Sequence, residues 1–335
     1  MEKSKRESRI ALFINEYLSE IIAFSMLAVV FILSTLNNPE LFTIDYLFTQ
    51  FSFYFELGII AIALTIIIIS GNLDLSVASM LVMTICIVGW THVALGIPMS
   101  ISILIGMLVG IIAGAINGYL ISYIKLPSLV VTLGTLSLYR GVAEILLGDH
   151  SLQGFPEWFV GIDKIVIQGT QIKIIFIIYL VLIILTALLL QKTIFGRYIF
   201  ALGVNEQAAR YSGVPTGKVK FLIFVISGLL CSLGGILLLS RLGVARYDLA
   251  SGWELQAITV VILGGTLISG GRGTAQGTLI ALMLVIFLRT GMGIANIKIE
   301  SQMTIVGFLL IFSVVLYQFI EKYRSERRKP VDKVQ

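Results

Sequence analysis

Charge is what this 335-residue chain has least of. Its 24 Lys and Arg and 19 Asp and Glu make up 13% of the residues, against roughly 25% in soluble globular domains. A water-soluble body of this size would have too little polar material to cover its surface. That excludes a soluble enzyme, a nucleic-acid-binding module and a disordered linker. Cysteine and histidine are nearly absent. Cys86 and Cys231 stand alone in apolar runs and read as packing residues, with no disulfide framework or metal-ligand spacing. His92 and His150 are isolated, so metal chemistry has almost nothing to work with. What the chain does have is apolar sequence, at 57% of all residues and a mean hydropathy of +0.99. It reads as an integral membrane protein.

A bilayer-spanning helix takes about 20 apolar residues. Windows between Gly, Pro and charge punctuation place ten spans near 18–36, 52–70, 75–92, 98–122, 127–147, 173–191, 219–240, 254–270, 273–290 and 301–320. The first run is too long for a cleaved signal peptide and continues into Asn37-Asn38-Pro39. Eight spans plus re-entrant hairpins would keep the same sidedness. Basic residues orient the bundle. Of the 24 Lys and Arg, six (Lys164, Lys173, Arg241, Arg246, Arg289 and Lys298) fall outside, Arg140 lies within a span and the rest lie inside. The expected architecture is an all-α polytopic bundle forming one membrane domain over 1–335. Cytoplasmic tails occupy 1–17 and 321–335. Residues 148–172 (outside) and 192–218 (inside) are the two long loops, each a candidate for partner contacts.

Catalytic and nucleotide-binding signatures fail. GVPTGKV at 213–219 has three residues between its glycines where a phosphate loop needs four, and Val219 where a Mg²⁺-binding hydroxyl is required. GGRGTAQG at 270–277 has the wrong spacing for a dinucleotide fingerprint and reads as a turn between helices. Any energy for work against a gradient must therefore enter from outside the chain. Polar breaks in apolar sequence are more informative. In SGNLDLSVAS at 70–79, Asp74 either caps the following helix near Ser76 and Val77 or lies with Ser76 by a translocation path or gate. Gly106, Gly110, Gly114 and Gly118 share one helix face and suit close backbone packing; Asn117 beside them has the reach to hydrogen-bond across helices. Gly264, Gly265, Gly270, Gly271 and Gly273 read as packing positions or hinges. Arg140 and Glu144 are four apart and are expected to pair, either as a structural pair or as part of the path. Thr132, Thr135 and Ser137 on the same span suit a polar, uncharged solute. Glu254 sits where a helix dipole favours an acid.

Four blocks together resemble the membrane-spanning permease of bacterial ribose-type ABC importers, which carry monosaccharides and related sugars. They are SGNLDLSVAS at 70–79, LPSLVVTLGTLSLYRGVA at 126–143, GRYIFALGVNEQAARYSGV at 196–214 and ELQAITVVILGGTLISGGRGTAQGTL at 254–279. The resemblance implies a multi-pass protein of the bacterial inner membrane. It also implies a second permease subunit, a cytoplasmic ABC ATPase that binds ATP and Mg, and an extracytoplasmic sugar-binding protein that docks near 148–172. No cofactor is expected in the chain itself. Residues 196–218 look like the ATPase-coupling loop, which would include Gly196, Arg197, Asn205 and Arg210, with Glu206, Ala208, Ala209 and Gly213 on the family's Glu-Ala-Ala…Gly pattern. Arg197, Glu206 and Arg210 are expected to form charge pairs at its rim. The sequence departs from the family at Asn72-Leu73 and Ala78, and Glu144 and Arg289 stand where neutral residues are expected. A nucleoside or branched-chain amino-acid permease of related architecture is the alternative, and an ion-coupled secondary transporter is a further one.

Overall fold

The computed structural model describes residues 43–298 continuously, with isolated positions between 24 and 32 and between 301 and 315. The spans expected at 18–36 and 301–320, and both tails, lie outside the described residues. Seven helices in the described part are long and apolar enough to cross a membrane. The chain is an all-α, multi-pass membrane protein.

Ten α-helices run through residues 43–298. They are α1 (Ile44–Ile69), α2 (Val77–Gly89), α3 (Met99–Ser122), α4 (Ser128–Leu147), α5 (Ile174–Lys192), α6 (Ile194–Val204), α7 (Glu206–Tyr211), α8 (Thr216–Leu242), α9 (Trp253–Leu263) and α10 (Ala275–Ile294). A π-turn over Trp90–Ala94 extends α2. Pro98, Pro127 and Pro215 each stand immediately before a helix. With no N–H to donate, proline cannot continue a preceding helix but is well suited to opening the next.

Helix α1 forms the axis of the bundle. Its run from Leu57 to Ile69 is apolar except for Gly58 and Thr65 and is buried on every side. In its spanning window 89% of residues are buried, against 28% for α4 and for α5. Sequence continuity of hydrophobicity predicts this, because a helix apolar all round has no face for water and is suited to a protein core or a membrane. Helix α8 packs along α3, α2 and α1, and the glycine face of α3 makes the α3–α8 contact. A methyl group added at Gly110 would overlap Ser232 and the Gly228 carbonyl, and one at Gly118 would press on Phe221. With no hydrophobic drive between helices in lipid, such close backbone approach supplies the dispersion contacts that hold the pair.

The expected span at 254–270 is helical only over Trp253–Leu263. Eleven residues rise about 16 Å, roughly half of the hydrocarbon core. A loop completes the crossing. Tyr247 and Leu249, before α9, accept hydrogen bonds from Arg140 on α4. Gly270 and Gly271, after it, abut Gly71 and Gly203 near the opposite end. The cause of the break is local: Gly264 and Gly265 end the helix, and Gly265, Gly270 and Gly271 all have positive φ.

Candidate functional site

Helices α6 and α7 lie together at one end of the bundle, beyond the ends of α1, α5 and α8. Two side-chain caps build them. Thr193 accepts a hydrogen bond from the Gly196 N–H at 3.0 Å and starts α6. Asn205 accepts from the Ala208 N–H at 2.9 Å and starts α7, each satisfying a donor that the first turn leaves free. Gly213, at φ +86°, closes the segment in a conformation that L side chains rarely adopt.

This segment has a buried side and a presented side. Gly196, Ile199, Leu202 and Ala209 face inward. Arg197, Val204, Glu206, Gln207, Ala208, Arg210 and Tyr211 face out, with Tyr211 91% and Val204 75% exposed. Glu206, expected at a partner's rim, is half exposed and already holds a cation. Its carboxylate pairs with Lys220 of α8 at 2.5 Å, which ties α7 to a transmembrane helix. Ala209 is also buried, so Ala208 is the small residue of the pair that is presented.

The 70–76 hairpin is not a surface turn. Asn72, Asp74 and Ser76 are buried, and only Gly71 is exposed. Asp74 Oδ1 accepts from the Ser76 N–H at 2.8 Å and from the Ser76 hydroxyl at 2.6 Å. Asn117 on α3 donates to Ser76 Oγ at 2.9 Å, and Tyr139 on α4 donates to Asn117 Oδ1 at 3.2 Å and to the Ala113 carbonyl. Ser128 Oγ accepts from the Leu73 N–H, and Thr132 donates to Ser128 and toward the Leu73 carbonyl. One polar network thus joins the hairpin, α3 and α4. Thr135 bonds within its own helix, and Ser137 faces outward.

Arg140 and Glu144 do not pair. The Arg140 guanidinium reaches across to the Tyr247 and Leu249 carbonyls at 2.6 and 2.8 Å, because two fixed backbone acceptors in the α8–α9 connection lie within its reach. Glu144 is exposed in the last turn of α4. The embedded ion pair lies elsewhere. Arg241 of α8 grips Glu56 of α1 through two hydrogen bonds, at 2.7 and 3.1 Å, with Glu56 fully buried. The sequence carried a signal for it, an acid inside the apolar run FSFYFELGII at 51–60. A groove of about 920 Å³ also opens between α1, α5 and α10, lined largely by Phe48, Phe51, Phe176, Ile286 and Phe287.

Residues 43–314 match the profile of a family described as branched-chain amino acid transport system / permease component. All four blocks that carry the sequence resemblance fall within that match. The chain is 32% identical over 319 residues to the autoinducer 2 import system permease protein LsrD of Yersinia pestis (strain Pestoides F). The same protein of Yersinia pseudotuberculosis (serotype O:1b, strain IP 31758) gives the same identity, and each alignment covers 90% of this chain and 95% of the relative. No solved structure matches. A chain with this span pattern, matched along most of its own length and of its relatives', belongs to this family of transport-system permease components.

Proposed function

We propose that the chain is the conduit subunit of an ATP-binding-cassette importer in a bacterial inner membrane, and that its solute is a small sugar or sugar-like molecule. The observation that carries the reading is the α6–α7 segment. It is a compact, doubly capped pair of helices at one end of the bundle, seated on α1, α5 and α8, presenting Val204, Arg197, Arg210 and Tyr211 outward. Nothing in a lone conduit calls for such a surface. A separate ATPase does, since an apolar anchor flanked by charge is the usual composition of a docking site. The 193–215 end then faces the cytoplasm, in keeping with the basic residues there. The tails lie on the same side, and the full chain makes ten crossings, the eighth of them broken.

The relatives are named for import of autoinducer 2, which supports a sugar-type solute. A binding protein delivers it at the 148–172 end, and a second permease completes the wall. Helix α4 suits that second subunit: nothing lies within 4 Å of a methyl group placed at Gly134 or Gly141, and Ser137 and Glu144 are exposed on the same helix. The buried residues Asp74, Ser76, Asn117 and Thr132 hold that wall in place instead of lining it. A branched-chain amino acid remains the second reading, favoured by the description of the family.

Competition for uptake by the reconstituted importer among ribose, autoinducer 2 and leucine tests the solute class. Inhibition by leucine alone overturns the sugar reading. Tyr211→Asp and Gly213→Val test the docking segment. Both are expected to insert normally and to lose the ATPase on co-purification, and retention of the ATPase by both overturns the assignment.

A further inference from the structure

Gly203, the next-to-last residue of α6, sits where three stretches of backbone meet. A methyl group there would overlap both the Ile69 carbonyl oxygen at the end of α1 and the Gly271 nitrogen. The Gly271 N–H donates to that same Ile69 carbonyl at 2.8 Å. A methyl at Gly270 would lie 2.8 Å from Gly71 Cα and 3.0 Å from Gly203 Cα, and one at Gly271 would lie 2.8 Å from Val204 Cγ2. At Gly203 and Gly270 the end of α1, the end of α6 and the loop after α9 meet backbone to backbone, and the Val204 side chain packs on Gly271.

The loop that joins this junction is the irregular half of the broken crossing. It closes on itself through Gly270 N–H to Leu267 O and Leu267 N–H to Arg272 O. Its far side is packed against α10 where Gly264 meets Gly277. Thr266 is 2% exposed, and its hydroxyl has no partner among the described residues. A buried hydroxyl left unpaired is costly, and such groups mark places where another arrangement completes the bonding. The junction and the orphan hydroxyl are independent observations about one short loop.

We propose that Gly203 is the positioning residue that transmits movement of the docking segment to the broken crossing. Side chains between two moving elements can change rotamer and absorb a displacement. Interlocked backbones cannot, because closely packed groups pass between discrete arrangements and do not deform continuously. Helix α6, the end of α1 and the 264–274 loop therefore move as one body, and α9 follows because the loop is its C-terminal continuation. This rests on reading 193–215 as the docking segment.

The test uses the full permease bound to its ATPase in lipid nanodiscs, with maleimide labelling of Leu255→Cys as the reporter. Leu255 lies on α9 and is 62% exposed, whereas Cys86 and Cys231 are buried. ATP with vanadate is expected to change its labelling rate at least about threefold, as a shift between two states requires. Adding Gly203→Ala is expected to abolish that change while ATPase co-purification and ATP hydrolysis persist, a combination that a merely structural glycine would not give. An undiminished labelling change overturns the proposal. If the alanine variant does not assemble, a disulfide between Val204→Cys and Gly271→Cys decides. Two parts of one rigid body can be tied together without loss, so the oxidised pair is expected to keep the ATP-driven change. Loss of the change in the oxidised pair overturns the proposal. Failure of the parent permease to bind an ATPase is a separate result and removes the docking reading itself.

Discussion

Glu56 and Arg241 bring two charges into the bundle, and their geometry explains why they are tolerated. Both carboxylate oxygens accept from one guanidinium, the bidentate arrangement in which a charge pair is strongest. Arg241 also lies 5.9 Å from the centre of the Phe53 ring. Removing one partner leaves the other charge buried alone, which costs about 3–5 kcal/mol, whereas replacing both with apolar groups of similar size is often neutral. Arg241→Met is therefore expected to lower the thermal stability of the detergent-solubilised protein sharply, and Glu56→Leu with Arg241→Met to recover most of it. A double variant no more stable than the single one would show that the pair does more than join α1 to α8. Arg140 and Glu144 make the complementary case. Arg140→Met strips two backbone carbonyls of a charged donor, with each such bond contributing about 1.5–3 kcal/mol. Glu144→Gln touches no partner among the described residues. The first change is expected to loosen residues 245–250 and raise their hydrogen exchange, and the second to leave the exchange pattern as it is.

Elements follow from the sequence where a local property decides them and escape it where distant segments do. Continuous apolar runs placed α3, α4 and α5 within a residue or two of their observed bounds, because length and hydrophobicity suffice for a lipid-spanning helix. The glycine row on α3 was equally plain from its spacing of four. Gly114 packs on the Phe224 carbonyl and Gly228, so Gly114→Leu is expected to part α3 from α8 and cut the yield of folded protein, whereas leucine at Gly134, where α4 is bare, leaves the single subunit folded. Equal yields from the two variants would contradict the packing account. The break in the expected 254–270 span was only half legible, since Gly264 and Gly265 read as packing positions or hinges and not as a helix end. Residues 254–270 are apolar enough for a span, and hydropathy does not register that Gly264 and Gly265 end the helix. The depth of the 70–76 hairpin was not settled by its local sequence, which left Asp74 either as a helix cap or beside a translocation path. Its burial depends on α3, α4, α6 and the 264–274 loop, some of them more than a hundred residues away in sequence. Arg140's true partners were illegible for the same reason: spacing on one helix points to Glu144, and only tertiary structure brings the Tyr247 carbonyl within reach.

At the scale of the whole molecule, the described architecture is that of a wall with a handle. The most buried helices, α1, α2 and α8, form a rigid spine, while α4 and α5 keep more than two thirds of their spanning windows unburied. Helices α6 and α7, at one end of the bundle, are fastened to that spine by the Glu206–Lys220 pair and the Gly203 junction. On the proposed reading, such a body is rocked as a unit by an attached ATPase. Of the acids buried among the described residues, Glu56 is paired with Arg241 and Asp74 is bonded through Oδ1 to Ser76. Reconstituted alone in liposomes, the chain is expected to accumulate no labelled ribose or autoinducer 2 under an imposed proton or sodium gradient. With its ATPase and binding protein added, accumulation is expected only in the presence of ATP. The single-subunit experiment is the more discriminating of the two, because concentration of solute by the lone chain under an ion gradient would mean that the α6–α7 handle is not where force enters.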